Sequence, residues 1–305
     1  EGNKSRVRLL LELFPPHVLF RELLRYEVAH EPDANVILRY QSPAQAVMLM
    51  ILRAQPSRFL KQPLRGMVKE FARKTRKGMP ERKDSPRVTE NKADVEVRLV
   101  SQHLGIVTST IQSILHPFEV PDEICHVAAI CREAVDERKT VTDDGDGGEV
   151  PRTADQKDRW AVSMSVFLYR IVPIIISPYK HGIVKADKGK SLADEFLAVG
   201  KFMLKLCNNA RYEETDEHRI LLNRTLDILM PVYTGFCSGL VARGKAISGC
   251  EEVSRSPKSK AAWKDFLDVL QEKQSRILDL AEGNQTTVGL SQMIKAVQEE
   301  YGGGK

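Results

Sequence analysis

The amino-acid sequence predicts an all-α fold, and three observations support this. Apolar residues recur at spacings of three and four along most of the chain, as they do on one face of an α-helix. No stretch alternates apolar and polar residues in the way that a half-buried strand would. Segments of the same helical character lie on both sides of each polar interruption. The pattern therefore indicates one large helical domain.

Each predicted helix follows from an apolar stripe, and one of them also has a strong start signal. Ser42 and Pro43 predict a helix that begins at Ser42, because serine caps free backbone N–H groups and proline needs no partner in a first turn. Pro173 is expected to end or kink its helix, since it lacks a donor and clashes with the preceding turn. In chain order, the stripes are Val18 to Val28, Val47 to Leu52, Leu60 to Phe71, Val97 to Leu115, Ile124 to Val135, Trp160 to Ile171, Leu192 to Leu206, Ile220 to Val232, Trp263 to Leu280 and Val288 to Val297.

Two polar segments interrupt the helices without dividing the domain. Residues 76–94 are rich in charge and proline, and residues 139–158 contain the run DDGDGGEVP, so both are predicted to be loops. We expect one helical domain over residues 1–250, on which residues 251–305 pack as additional C-terminal helices. The chain begins with Glu1 rather than methionine, and we expect it to be part of a longer multidomain protein.

Composition argues against several classes of partner. The 46 basic residues nearly balance 41 acidic ones, a net charge of +5 that is too mild to indicate a nucleic-acid-binding protein. The five cysteines are scattered and form no C-x-x-C pair, which favours a reducing, cytoplasmic compartment. The longest apolar run, Ile171 to Ile176, is far shorter than the roughly 20 residues that cross a bilayer. We therefore expect no transmembrane segment.

Two candidate sites are weaker than they look. Gly189-Lys190-Ser191 matches the end of a phosphate-binding P-loop, but the pattern requires glycine where Val184 stands, so we favour an ordinary helix start capped by Ser191. His126 adjoins Cys125 without a second ligand pair at metal spacing, so no metal site is predicted. No Ser/His/Asp or paired-carboxylate arrangement stands out either.

Arg39 lies three residues before the capped helix start at Ser42, on a connection between two predicted helices. An arginine there is well placed to reach into another molecule, although a loop arginine taken alone is usually solvated. The basic run from Lys69 to Lys77 is typical of the solvated end of a helix, where positive charge suits the dipole. A docking surface for an acidic partner is the alternative interpretation of that run.

Residues 38–44, LRYQSPA, resemble the finger loop of the Ras GTPase-activating proteins, whose pattern is close to L-[FL]-R-x-x-[ST]-x-A. Residues 166–183, VFLYRIVPIIISPYKHGI, resemble the family's F-L-R-[FL]-[IL]-x-P-A-[IV]-[VL]-[SN]-P signature. Shorter matches occur in the family's order at Phe59-Leu60 with Leu64, Thr89-Glu90-Asn91, Val120-Pro121 with Ile124, and Gly200-Lys201 to Asn208-Asn209. The likeness covers about residues 10–240, with gaps. Within the family the chain resembles a divergent member, similar to neurofibromin and the IQGAP proteins.

The resemblance implies a RasGAP-like helical domain that activates a Ras-like small GTPase, with Arg39 inserted in trans as an arginine finger. It implies no cofactor of the chain's own, since GTP and Mg²⁺ belong to the partner, and no autonomous active site. The expected location is the cytoplasm, with recruitment to the inner membrane surface or the cytoskeleton as a further option. The residues expected to support the finger loop are Ser42, Ala44, Phe167, Leu168, Tyr169, Arg170 and Pro173. Those expected to bind the GTPase are Arg65, Lys69, Arg73 and Lys201.

The chain departs from the family where an arginine should brace the finger loop. Tyr169 stands at that position and Arg170 follows one place later, which in an α-helix is a rotation of about 100°. Arg170 could replace the brace only in a locally rewound helix, whereas the Tyr169 hydroxyl can donate one hydrogen bond. Val172 replaces the usual asparagine and Leu204 a glutamine.

These departures keep two alternatives open. One is a noncatalytic scaffold or effector module of the kind found in IQGAP proteins, which binds a GTP-loaded Ras or Rho family member. The other is a helical domain that only joins other parts of a longer protein.

Overall fold

The computed structural model describes residues 15–30, 37–38, 42–76, 92–116, 119–137 and 153–254. These residues are mostly helical and include no β-strand, so the all-α prediction is confirmed for the part described. The helices are α1 (Pro16–His30), α2 (Pro43–Ala54), α3 (Arg58–Arg76), α4 (Lys92–Gln102), α5 (Leu104–Ile114), α6 (Asp122–Glu137), α7 (Ala154–Val162), α8 (Val172–Ile176), α9 (Ala186–Ser191), α10 (Ala193–Cys207) and α11 (Glu217–Ser254).

Several predictions fall outside the described residues. These are Arg39, most of the two polar loops, the Thr89-Glu90-Asn91 match and the extension beyond residue 254 with its two apolar stripes. The other stripes form a single buried core in which helices from both ends of the described chain take part. Helix α11 packs mainly along α6 and α7.

Helix α11 approaches α6 very closely at Gly244. A Cβ atom at that position would lie 2.0 Å from the backbone oxygen of Cys125, so only glycine allows the two helices to meet at this distance. Earlier in α11, the rings of Tyr233 and Phe236 meet the fully buried ring of Phe167 edge to face, with centroids 5.1 and 5.7 Å from it. These contacts anchor the centre of the fold.

A π-helical segment (Ser163–Ile171) joins α7 to α8. At its end the N–H of Val172 donates to the carbonyl of Phe167, five residues back, as in a π-helix. The helix does not end at Pro173, contrary to one of the two expected outcomes. Pro173 occupies the first turn of α8, where its missing N–H is tolerated, and the chain stays helical through Ile176.

Local start signals are confirmed at α2 and wrong at α10. The hydroxyl of Ser42 accepts a hydrogen bond from the N–H of Gln45 at 3.1 Å, and Pro43 occupies the first turn. Ser191, in contrast, is the last residue of α9, and its hydroxyl donates to the carbonyl of Lys188. The local capping rule fails there because the chain before Ser191 is already a helical turn.

Four cysteines in the described residues are free and buried: Cys125, Cys131, Cys207 and Cys237. Burial in apolar surroundings raises the pKa of Cys125 to about 11 and that of Cys131 to about 12. The pKa values of the Cys207 and Cys237 thiols are raised for the same reason. All four thiols are therefore protonated at neutral pH.

Two helical stretches, Ala154–Ile176 and Glu217–Ile247, are long and apolar enough to cross a membrane by length and composition. Within their apolar windows, 67% of the first and 44% of the second is buried inside the protein. Core helices of soluble proteins meet the same criterion, so these stretches are weak evidence for a membrane span. The absence of a transmembrane segment stays a prediction.

Candidate functional site

Leu38, the residue directly before Arg39, has a strained backbone. Its φ angle is +61°, in the left-handed region that leucine rarely adopts, while its side chain is only 1% exposed. A conformation of this kind costs on the order of 1–3 kcal/mol and persists only where surrounding contacts fix it. The residues that fix Leu38 are therefore the first candidates for a functional role.

Both backbone polar groups of Leu38 are held by side chains, which come from three different helical elements. Its N–H donates to Oε1 of Glu27, on α1, at 2.6 Å. Its carbonyl accepts from Nε2 of Gln45, on α2, at 2.7 Å and from the hydroxyl of Tyr169, in the π-helical segment. Gln45 Nε2 also lies 2.7 Å from the Tyr169 hydroxyl oxygen. Three elements thus converge on one residue of the connection before α2.

Glu27 contacts the other end of this connection as well. Its Oε2 accepts a hydrogen bond of 2.6 Å from the hydroxyl of Ser42, the residue that caps α2. Residues 39–41 lie between Leu38 and Ser42 in the sequence and outside the described residues. The structure therefore gives the two ends of the predicted finger loop, although not Arg39 itself.

Arg170 braces the connection that follows α2. Its guanidinium donates to the carbonyl of Gln55 and to the hydroxyl of Ser57, the latter at 2.9 Å. Burial lowers the pKa of this arginine, whose side chain is almost fully enclosed. Burial and the neighbouring charge of Arg170 also lower the pKa of His181. Consecutive residues of the π-helical segment thus hold the two ends of α2, Tyr169 at the start and Arg170 at the end.

The other residues expected to support the finger loop have different surroundings. Ala44 is buried in the first turn of α2, and Phe167 is buried against two aromatic rings of α11. Leu168 is half-buried, and Pro173 is exposed. The structure brings Ser42 and Tyr169 to the residues that flank positions 39–41 and places Phe167 in the core behind them.

The residues expected to bind a GTPase are divided between two helices. Arg65 and Lys69 are exposed on α3, where they line a shallow groove together with Arg58, Lys61, Gln62 and Gly66. The Nε of Arg65 donates to the carbonyl of Ile183 at 2.8 Å, which fixes the base of its guanidinium at the surface. Arg73 continues the row one turn later and pairs with Glu70 at 2.8 Å. Lys201 lies on α10 and pairs with Glu96, on α4, at 2.5 Å.

Two residues of this site, Glu27 and Gln45, were not predicted from the sequence. Gln45 stands three residues after Ser42, the spacing of a capping box, so the sequence carried a signal for it. Its side chain nevertheless contacts Leu38 and Tyr169. Glu27 carried no signal, because an acidic residue on a helix flank is ordinary.

The alternative sites gain nothing from the structure. Gly189 is buried within α9, and a Cβ atom there would lie 2.6 Å from Cβ of Tyr179, so close packing accounts for this glycine. The ring of His126 stacks on that of His17, with centroids 4.4 Å apart. Across the described ranges, no group of three or more His, Cys, Asp or Glu side chains could hold a metal ion.

No protein-family model matches this chain. No curated protein matches it either. The likeness of residues 38–44 and 166–183 to the Ras GTPase-activating proteins therefore stays a prediction carried by those motifs.

Proposed function

We propose that this chain is a RasGAP-like domain that accelerates GTP hydrolysis by a Ras-like small GTPase, with Arg39 as the finger. The observation that carries the proposal is the restraint on Leu38. The residue before Arg39 is held in a left-handed conformation by hydrogen bonds to both its N–H and its carbonyl. Several hydrogen bonds that hold one strained backbone conformation are typical of a functional site, where the next residue must point in a defined direction.

The chemistry suits an arginine. In phosphoryl transfer from GTP the γ-phosphoryl group passes through a loose transition state whose spreading charge needs a cation. A guanidinium is permanently charged and planar and donates several hydrogen bonds at once. An arginine finger supplied in trans raises the rate by about 10³- to 10⁵-fold in such systems. GTP and Mg²⁺ are bound by the partner, so this chain requires no cofactor of its own.

Positioning decides how much of that gain is realised. A long, flexible side chain loses conformational freedom when it enters a site, and a backbone fixed beforehand reduces that cost. Leu38 and Ser42 are fixed at the two ends of the loop that carries Arg39. Such fixed ends are what a finger loop requires.

The basic face of α3 supports a docking role in this proposal. Arg65, Lys69 and Arg73 are spaced four residues apart on one exposed face, so they present a row of positive charge. The surfaces through which Ras-like GTPases bind partners are generally acidic around an apolar centre, and complementary charge speeds encounter. Lys201 would contribute from α10.

A second function, the noncatalytic scaffold, is favoured by one observation. Tyr169 provides a single hydroxyl donor to Leu38, where the family's arginine could donate several hydrogen bonds. A weaker brace would reduce hydrolysis more than binding. Such a module would hold a GTP-loaded Ras or Rho protein in the cytoplasm, at the inner membrane surface or on the cytoskeleton.

Single-turnover GTP hydrolysis with a panel of Ras, Rap and Rho proteins tests the proposal. We expect stimulation by the unmodified domain, loss of that stimulation in Arg39→Ala, and complex formation that survives the change. Arg224→Ala, an exposed arginine on α11, is the matched control and should leave stimulation unchanged. Tight GTP-dependent binding without faster hydrolysis, unaffected by Arg39→Ala, would establish the scaffold instead. No binding to any member of the panel would refute both functions.

A further inference from the structure

We propose that Glu27 is a positioning residue for Arg39, and that its carboxylate joins the two ends of the finger loop. This inference rests on the proposed function. The two carboxylate oxygens of Glu27 accept separate hydrogen bonds of 2.6 Å, one from the Leu38 N–H and one from the Ser42 hydroxyl. We call Glu27 with these two partners the Glu27 clasp.

The geometry of the clasp suits the task. Because the two oxygens bind the residues on either side of positions 39–41, one side chain fixes Leu38 and Ser42 relative to each other. Restraint at both ends limits the directions in which the intervening backbone can present Arg39.

The clasp also completes the restraint on Leu38. Tyr169 and Gln45 hold the carbonyl of Leu38, while Glu27 holds its N–H. The Ser42 hydroxyl donates to Glu27 and accepts from the N–H of Gln45, so α1 and α2 are linked through the same atoms. Without Glu27, the N–H of Leu38 and the hydroxyl of Ser42 would both lose the acceptor that Glu27 provides.

Three substitutions separate the span of the carboxylate from its charge. Glu27→Gln keeps the length of the side chain: its amide oxygen can accept from the Leu38 N–H, and its NH₂ group can donate to the Ser42 hydroxyl in place of accepting from it. Glu27→Asp keeps the charge but is one methylene shorter, so it cannot reach both partners. Glu27→Ala removes both contacts. Glu22→Gln is the control, because Glu22 lies on the same helix with a partly exposed side chain and pairs with Arg25 at 3.1 Å.

The kinetic readout is single-turnover hydrolysis as a function of domain concentration. We expect Glu27→Asp and Glu27→Ala to lower the maximal rate by about 10- to 100-fold, with the half-saturating concentration changed by less than about twofold. Glu27→Gln should retain the rate to within about threefold, and Glu22→Gln should match the unmodified domain. A maximal rate that is unchanged in Glu27→Asp and Glu27→Ala would overturn the proposal, as would a loss seen only as weaker binding.

Hydrogen exchange of the Leu38 amide provides a readout that needs no GTPase. We expect faster exchange in the peptide containing Leu38 for Glu27→Asp and Glu27→Ala, and near-normal exchange for Glu27→Gln, with folding verified by thermal unfolding. Unchanged exchange in Glu27→Asp and Glu27→Ala would overturn the clasp. If the unmodified domain stimulates no GTPase while the exchange pattern holds, the proposed function fails and the clasp survives as a loop restraint.

Discussion

The hydroxyl of Tyr169 donates a hydrogen bond to the backbone carbonyl of Leu38, 131 residues earlier in the chain. Gln45 Nε2 lies 2.7 Å from both oxygen atoms, so the three groups form a closed triangle. The carbonyl that receives these bonds belongs to the residue before Arg39. Tyr169 therefore contacts the residue before Arg39, where the proposed relationship to the Ras GTPase-activating proteins would place an arginine.

Tyr169→Phe removes one donor to Leu38 and leaves the packing of the ring intact. We expect it to lower the free energy of unfolding by about 1 kcal/mol, since one partly buried hydrogen bond is lost. If the chain stimulates a GTPase as proposed, the maximal rate of hydrolysis should fall by about tenfold, because the residue before Arg39 becomes less restrained. Equilibrium denaturation and single-turnover hydrolysis measure the two effects.

A double-mutant cycle with Gln45→Leu tests whether the triangle acts as a unit. Because Gln45 contacts both oxygen atoms, the effects of the two substitutions should not add, with a coupling energy of about 0.5–3 kcal/mol. Additive effects would show that the two donors act independently. Tyr179→Phe, a half-buried tyrosine elsewhere, serves as the control.

Arg170→Ala should destabilise the protein more than any exposed arginine does. The substitution leaves the carbonyl of Gln55 and the hydroxyl of Ser57 without the donor that holds the connection after α2. We expect a loss of about 2–4 kcal/mol in the free energy of unfolding, measured by chemical denaturation. Arg170→Lys should recover only part of it, since an ammonium lacks the planar fork. Arg53→Ala, on the exposed side of α2, should stay within about 0.5 kcal/mol of the unmodified protein.

Two glycines of α11 should respond to alanine in opposite directions. Gly244→Ala places a Cβ atom 2.0 Å from the Cys125 backbone oxygen, so α6 and α11 must separate, at a cost of about 1–3 kcal/mol or more. Gly235→Ala meets nothing within 4 Å and should stabilise the helix by about 0.5–1 kcal/mol. Denaturant midpoints for the two variants would show the difference directly. Equal midpoints would contradict the close approach.

Stability should fall in acid because of the link between α6 and α7. The hydrogen bond from Arg132 lowers the pKa of Asp136 from 3.8 to about 2, and Lys157 assists at 2.9 Å. The unfolded chain therefore binds more protons than the folded one between those values, so this contribution is present above about pH 4 and is lost as the pH falls toward 2. In Asp136→Asn, the difference from the unmodified protein should shrink over that window.

Local rules predicted those parts of the fold that depend on neighbouring residues. The start of α2 followed from two adjacent residues, Ser42 and Pro43, whose side chains satisfy or avoid the free N–H groups of the first turn. The buried faces followed from periodicity. The predicted stripe from Ile220 to Val232 is part of a longer helix, because Pro231 is exposed and the carbonyl it leaves without a donor can turn toward water.

The candidate site was only partly predictable. The sequence indicated Ser42 and Tyr169 through motifs, but no local pattern brings together residues as distant as Leu38 and Tyr169. A leucine in the left-handed region violates its own preference, and only the surrounding contacts select it. The π-helical turn has the same apolar pattern as an α-helix over nine residues, so periodicity could not reveal it.

The four enclosed cysteine thiols have a practical use. Since the thiolate is the reactive species, maleimide reagents should leave Cys125, Cys131, Cys207 and Cys237 unmodified in the native protein. With Cys250→Ser, a single cysteine introduced as Tyr40→Cys would then accept a fluorophore selectively. A dye there, on the residue that follows Arg39 in the sequence, would give a direct test of the proposed partner, since binding of a GTPase should change the dye's emission.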